Sequence, residues 1–352
     1  MKLTVADVKA VTLKGMVITM KYPTIINSGL QMKCGHCQGI ATDGEFMYYS
    51  FTTKLVKTDL AGNFIGSADG LTGHLGCIAY DEATRSVIGS LEYKNDQIGQ
   101  GILKGLGKSE EPNPGTFYIA KFDAAKITSP DLSAADGIMT VVKLDDVCED
   151  YLYNENGVSH RFGCSGIDGI TIVPDFEGHR SIFVAYGIYG DNSRSDNDDQ
   201  VLLCLNAGKI EDKFVPLSAN GSGVRGEKYF VHTGNTTWGI QNLEYDPYTD
   251  CLMAAVYRGC KPEFPNYPMF FIDLRRQFID DGRKSFPLCE RGETHKSGIR
   301  GSYFGYGSTG MIALGGGEYY FSHDGRKDGG YFTEVRLYRA SGDSDFSLVH
   351  NI

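Results

Sequence analysis

The chain of 352 residues carries 34 Lys and Arg against 44 Asp and Glu, a formal net charge of −10. That acidity excludes a nucleic-acid binder, which needs a basic face against phosphates, and a protein docked on anionic lipid. An apolar fraction of 41% excludes general disorder, and 45 glycines with 21 Tyr and 19 Phe against one Trp suit short aromatic strands joined by tight turns.

In chain order, the start Met1-Lys2-Leu3-Thr4-Val5-Ala6 has no apolar leader. No run reaches the roughly 18 apolar residues of a membrane span. The nine cysteines are odd in number and scattered. They read as reduced thiols, and the expected location is the cytoplasm. Met16-Val17-Ile18-Thr19-Met20 reads as an N-terminal strand, expected to pair with the last repeat.

A glycine-led segment then recurs five times: Gly35-His36-Cys37-Gln38-Gly39, Gly73-His74-Leu75-Gly76, Ser165-Gly166-Ile167-Asp168-Gly169, Trp238-Gly239-Ile240-Gln241 and Gly307-Ser308-Thr309-Gly310. After each comes a turn, several of them Asp-rich, and a second strand: Phe46–Ser50, Ser86–Ser90, Ile182–Tyr186, Leu252–Val256 and Tyr319–His323. Third strands follow at Leu55–Leu60, Phe117–Asp123, Val201–Leu205, Phe270–Leu274 and Glu334–Tyr338. A repeated supersecondary unit of this kind predicts an all-β fold, a β-propeller of five blades closed by the N-terminal strand. It forms one domain over 1–352, with insertions near 94–115, 145–162, 190–200 and 206–237. One short helix is expected at Leu144–Tyr153, where Asp145 and Asp146 suit an N-terminus.

In a propeller the starts of the inner strands and the ends of the second strands meet on one face. That rule gathers His36, Gln38, His74, Asp168, Gln241 and Trp238 with Glu92, Tyr93, Tyr186, Tyr189, Tyr257, Arg258, His323 and Asp324. The loop entering the third blade adds His160 and Arg161. Convergent polar groups in a concavity are a candidate site, although Gln38, Asp168 and Gln241 share one repeat position and could equally form a belt around ordered water. Aromatic rings with carboxylates and Arg suit a small, acidic saccharide.

Two reactions fit. Glycoside hydrolysis needs two carboxylates, with Glu92, Asp168 and Asp324 as candidates. β-Elimination on a uronic acid needs a base, an acid and a cation, with His74 or His36, Tyr93 or Tyr189, and Arg161 or Arg258 in those roles. In blade count and length the chain resembles five-bladed propeller glycoside hydrolases, and its His/Tyr/Arg set resembles that of propeller polysaccharide lyases. The resemblance implies a carbohydrate-active enzyme, lyase or hydrolase. Those hydrolases place an Asp early in the first inner strand, where this chain has His36 and Gln38. The alternative is a non-catalytic propeller that binds a sugar or a protein.

No cofactor is expected. The alternatives are a zinc at Cys34-Gly35-His36-Cys37 with His74, and a channel calcium on Asp168. Asp191–Asp199 has the composition of a calcium loop without its order of ligands, and reads as a solvated loop. Gly99-Gln100-Gly101-Ile102-Leu103-Lys104-Gly105 is no dinucleotide fingerprint, and neither a Walker A sequence nor a GxSxG elbow occurs. The sequence carries no oligomer signal.

Overall fold

The computed structural model describes residues 22–109, 114–174, 179–219 and 221–350, together with two short strands at Thr12–Leu13 and Met16–Val17. The chain forms five antiparallel blades arranged in a ring, a β-propeller. Their inner strands are Cys37–Thr42, His74–Asp81, Cys164–Pro174, Thr236–Asp246 and Met311–Gly315. The second strands are Phe46–Phe51, Ser86–Tyr93, Arg180–Ile188, Cys251–Arg258 and Glu318–Lys327. The third are Lys54–Asp59, Thr116–Asp123, Asp199–Asn206, Met269–Ile272 and Gly330–Ser341.

Each blade is buried on both faces, so its strands read as near-continuous apolar runs whose alternate residues serve different neighbours. In Phe46–Phe51, Met47, Tyr49 and Phe51 pack toward the fifth blade with Ile312, Tyr320 and Val335. Tyr48 packs the other way, with Leu75, Leu91 and Phe122 of the second blade. Further apolar clusters fill the joints between blades two and three, three and four, and four and five. Burying each such side chain contributes about 1.5–3 kcal/mol.

The ring closes at the fifth blade, whose third strand is flanked by Asp345–Leu348 over one half and Ile25–Asn27 over the other, with Val335 opposite Ile26. Closure by an N-terminal strand was expected, but at a different place. Met16–Val17 pairs with Thr12–Leu13, and residues 18–20 lie outside the described set. The stretch 206–237, read as an insertion, holds the fourth strand of blade three, Glu227–His232. Helix α2, Asp145–Leu152, matches the sequence expectation within a residue at each end. Helix α1, Gln97–Gly105, was not expected and occupies the 94–115 insertion.

In four blades the inner strand is bulged at its glycine motif. Gln38 lies between the pairs Cys37↔Phe51 and Gly39↔Ser50. Gly76 and Cys77 together face the single residue Ser90, and Asp168 and Gly169 together face Ala185. Trp238, Gly239 and Gln241 are likewise extra in blade four. A bulge re-aims its side chain, and here it turns Gln38, Asp168, Trp238 and Gln241 toward a shared cavity.

Candidate functional site

The cavity sits at the mouth of the channel and encloses about 730 Å³, within the range of small-molecule sites. Its floor comes from the bulged inner strands, with His36, Gln38, His74, Ser165, Asp168 and Gln241. Its walls come from second-strand ends, with Thr52, Glu92, Lys94 and Tyr257, and from α1. Arg326 and Tyr331 stand on the long hairpin of blade five, and Lys33 precedes blade one.

Four ionisable groups meet on one side. Glu92 is 2% exposed and lies 2.6 Å from Lys94 Nζ, itself 6% exposed. The Ile167 N–H donates to Glu92 Oε2 at 3.0 Å. His74 Nδ1 stands 3.2 Å from Glu92 Oε1 without a well-aligned hydrogen bond. Gly166 adopts φ +126°, and a Cβ there would overlap the Glu92 carboxylate. The glycine therefore permits both the turn and the close approach.

Asp168 completes the group. Its backbone carbonyl accepts from Ser90 Oγ at 2.5 Å, while Oδ1 is buried with no hydrogen-bond partner among the described residues. A Cβ at Gly76 would overlap this carboxylate, so the bare backbone of blade two is what makes room for it. Burial, with the repulsion of Glu92 and against the pull of His74 and Lys94, pushes Asp168 up to about 7. Burial opposes ionisation of Glu92 too, but Lys94 and His74 outweigh it and hold Glu92 below the usual carboxylate range. Burial alone would lower His74; the Glu92 contact and the Asp168 carboxylate raise it instead. Lys94 is likewise raised against its burial, by Glu92 and Asp96.

Across the cavity His36 is held neutral. Its Nδ1–H donates to the Cys37 carbonyl at 2.7 Å, which leaves Nε2 as an acceptor 3.5 Å from the Gln38 amide nitrogen. Burial, and secondarily His74, lower its pKa. Tyr257 is raised by burial and by the Asp168 carboxylate, and stays protonated. Trp238 holds φ +67°, a region bulky residues avoid. Its ring meets Tyr189 edge-on with centroids 5.7 Å apart.

The structure thus brings together His36, Gln38, His74, Glu92, Asp168, Trp238, Gln241 and Tyr257. The other expected residues do not line this cavity. The two-residue strand period explains three of them. Glu92 and Lys94 face in, so Tyr93 turns away onto Tyr118. Gly187 lines the cavity, so Tyr186 points into the joint beneath, where its hydroxyl donates to Asp150 Oδ2 at 3.0 Å. Tyr257 faces in, so Arg258 points out, donating to the Asn266 carbonyl at 2.8 Å and lying over Tyr303.

Arg161 is engaged with Asp150 at 3.0 Å and covers Tyr153. His160 is held between the rings of Tyr151 and Tyr189, and Tyr189 donates to Asp96 Oδ2 at 3.3 Å behind Trp238. His323 meets the Tyr338 hydroxyl at 2.9 Å beneath Tyr306, and burial lowers it to about 4. Asp324 accepts from Thr333 at 2.8 Å, and burial raises it to about 6.

Lys94, Lys33, Arg326, Tyr331 and the α1 residues were not anticipated. Lys94 was within reach of sequence reasoning, two residues beyond Glu92 on the same strand face. No group of three His, Cys, Asp or Glu among the described residues is arranged to hold a metal ion. No described helix is long and apolar enough to cross a membrane.

No protein-family model matches the sequence, and no curated protein matches it. Solved structures do. One is the Dos1 propeller, at 12% identity and TM-score 0.37, covering 81% of this chain and 52% of that one. Another is a "putative exo-beta-1,3-galactanase" from Bifidobacterium bifidum s17, at 10% identity and TM-score 0.40, covering 91% and 92%. A third, a protein of unknown function from Bacteroides caccae, has 8% identity and TM-score 0.29, covering 72% and 86%. The chain spans about half the length of the Dos1 propeller chain. Similarity at this level says nothing about the site.

Proposed function

We propose that the chain is an enzyme that binds a small acidic saccharide at the channel mouth and cleaves it by β-elimination. The observation that carries this reading is the charge of the cavity. In a chain of net charge −10, three cations line it, Lys33, Lys94 and Arg326, against two carboxyls, Glu92 and Asp168. Asp168 is the one that titrates near neutrality. Lys94 is taken up by Glu92. Arg326 and Lys33 are exposed at the rim, where they can meet a substrate carboxylate.

Neutralising that carboxylate acidifies the α-proton, which His36 Nε2 removes. The electron pair becomes a carbon–carbon double bond as the β-carbon–oxygen bond breaks, and the leaving oxygen takes the Asp168 proton. Protonated His36 and ionised Asp168 then re-equilibrate with solvent. A partner in hydrolysis is suggested by one further observation: the two carboxyls are pushed in opposite directions, Asp168 up and Glu92 down, the pattern of an acid and a base or nucleophile.

Uronic-acid-containing disaccharides test both routes. Elimination gives an unsaturated, ultraviolet-absorbing product with no oxygen from labelled water; hydrolysis incorporates the label. Asp168→Asn is expected to lower kcat by about 10²–10⁴-fold on either route. Turnover at the wild-type rate in that variant, or no turnover of any uronide by the wild type, would overturn the proposal.

A further inference from the structure

One wall of the cavity has a chemistry that the acid–base floor does not use. Helix α1 starts at Asp96, whose side chain accepts from the Ile98 and Gly99 N–H groups at 3.0 and 3.1 Å. Leu103 and Gly99 turn inward and anchor it. Two stripes at helical spacing line the cavity: Ile98, Ile102 and Leu106, and beside them Gln97, Gly101 and Gly105. Leu106 is 40% exposed.

The glycines have no packing reason to be there. A Cβ at Gly101 or Gly105 would meet nothing within 4 Å, although glycine in a helix costs up to about 1 kcal/mol relative to alanine. The helix is weakened at the two positions where a side chain would narrow the open space beside its apolar stripe. That space is continuous with the buried Asp168 carboxylate, whose Oδ1 has no hydrogen-bond partner among the described residues, and with Trp238.

We infer that the α1 face formed by Ile98, Ile102 and Leu106, kept open by Gly101 and Gly105, is a subsite for an apolar group carried by the acidic sugar. The ligand is then a uronic acid bearing an alkyl or aryl aglycone, its carboxylate at the Arg326 rim and its apolar end along the helix. A free polar saccharide would leave these aliphatic side chains against water. The inference rests on the acidic-saccharide reading for the sugar half of the ligand, and on α1 alone for the apolar half.

Calorimetric titration of the intact protein with methyl glucuronide, butyl glucuronide and butyl glucoside separates the two. Each buried methylene is worth up to about fourfold in affinity, so butyl glucuronide should bind about tenfold or more tighter than the methyl compound. Ile102→Ser should remove most of that preference. Gly101→Leu, which places a good helix former in open space, should remove it without lowering the melting temperature.

Equal binding of the two glucuronides overturns the subsite and leaves the acidic-sugar reading intact. Binding of butyl glucoside as tightly as butyl glucuronide supports the subsite and overturns the acidic reading. A butyl preference that survives both substitutions overturns the placement on α1. Failure of all three compounds to bind overturns both readings.

Discussion

At the scale of single residues, Asp168 is the most informative side chain. Its carboxyl is buried and lacks a partner on Oδ1 among the described residues, and its folded-state pKa of about 7 lies above the 3.8 of an ordinary aspartate. Between those two values the folded protein keeps a proton that the unfolded chain has released. The Asp168 contribution to stability is therefore greatest at low pH, and falls as pH rises toward 7. Asp168→Asn removes the ionisation. The variant should melt higher than the wild type at pH 8, by roughly 3 °C or more, with the gain gone near pH 4. Melting curves across that range check this; a variant destabilised at pH 8 would mean that the ionised carboxylate is held by its cationic neighbours. A substitution that stabilises the fold while abolishing turnover is the mark of a residue kept for chemistry.

At the scale of elements, the glycine-led inner strand is a device for aiming side chains. Bulges in blades one, three and four turn Gln38, Asp168, Trp238 and Gln241 toward the cavity, and the bulge in blade two sets bare Gly76 against Asp168. Gly76→Ala tests one of these joints. Its Cβ would overlap both the Asp168 carboxylate and the Ser90 hydroxyl. We expect a loss of about 1–3 kcal/mol in denaturant unfolding; an unchanged midpoint would show that the joint is slack.

Because these motifs repeat, the inner, second and third strands of all five blades were legible in the sequence. The outer strands were not. Glu227–His232 lies inside a stretch that falls between two copies of the repeat, and the outer edge of blade five is assembled from the two ends of the chain. Helix α1 was hidden by its own glycines, which lower helix propensity; the Asp96 cap and the burial of Leu103 sustain it. Arg326 and Tyr331 were missed because the blade-five hairpin runs past His323 to Lys327↔Gly330, beyond the repeat. Of the eight expected residues that do not line the cavity, Tyr93, Tyr186 and Arg258 each neighbour one that does, so for these three the error is one step in a two-residue period.

At the scale of the whole molecule, charge is partitioned. The chain carries −10 overall, yet the cavity is rimmed by Lys33 and Arg326 and holds its one firmly ionised carboxylate in a pair with Lys94. Beyond about 10 Å the surface charge is screened at ordinary ionic strength, so an anion at the mouth meets the local cations. The most direct measurement of this claim is a calorimetric titration of wild type and Arg326→Ala with methyl glucuronide and methyl glucoside, at low salt and at about 0.5 M. The account predicts that the glucuronide binds about tenfold or more tighter, that high salt weakens it, and that Arg326→Ala removes most of the difference. Equal affinities for the two sugars, or a preference untouched by salt and by the substitution, would contradict it.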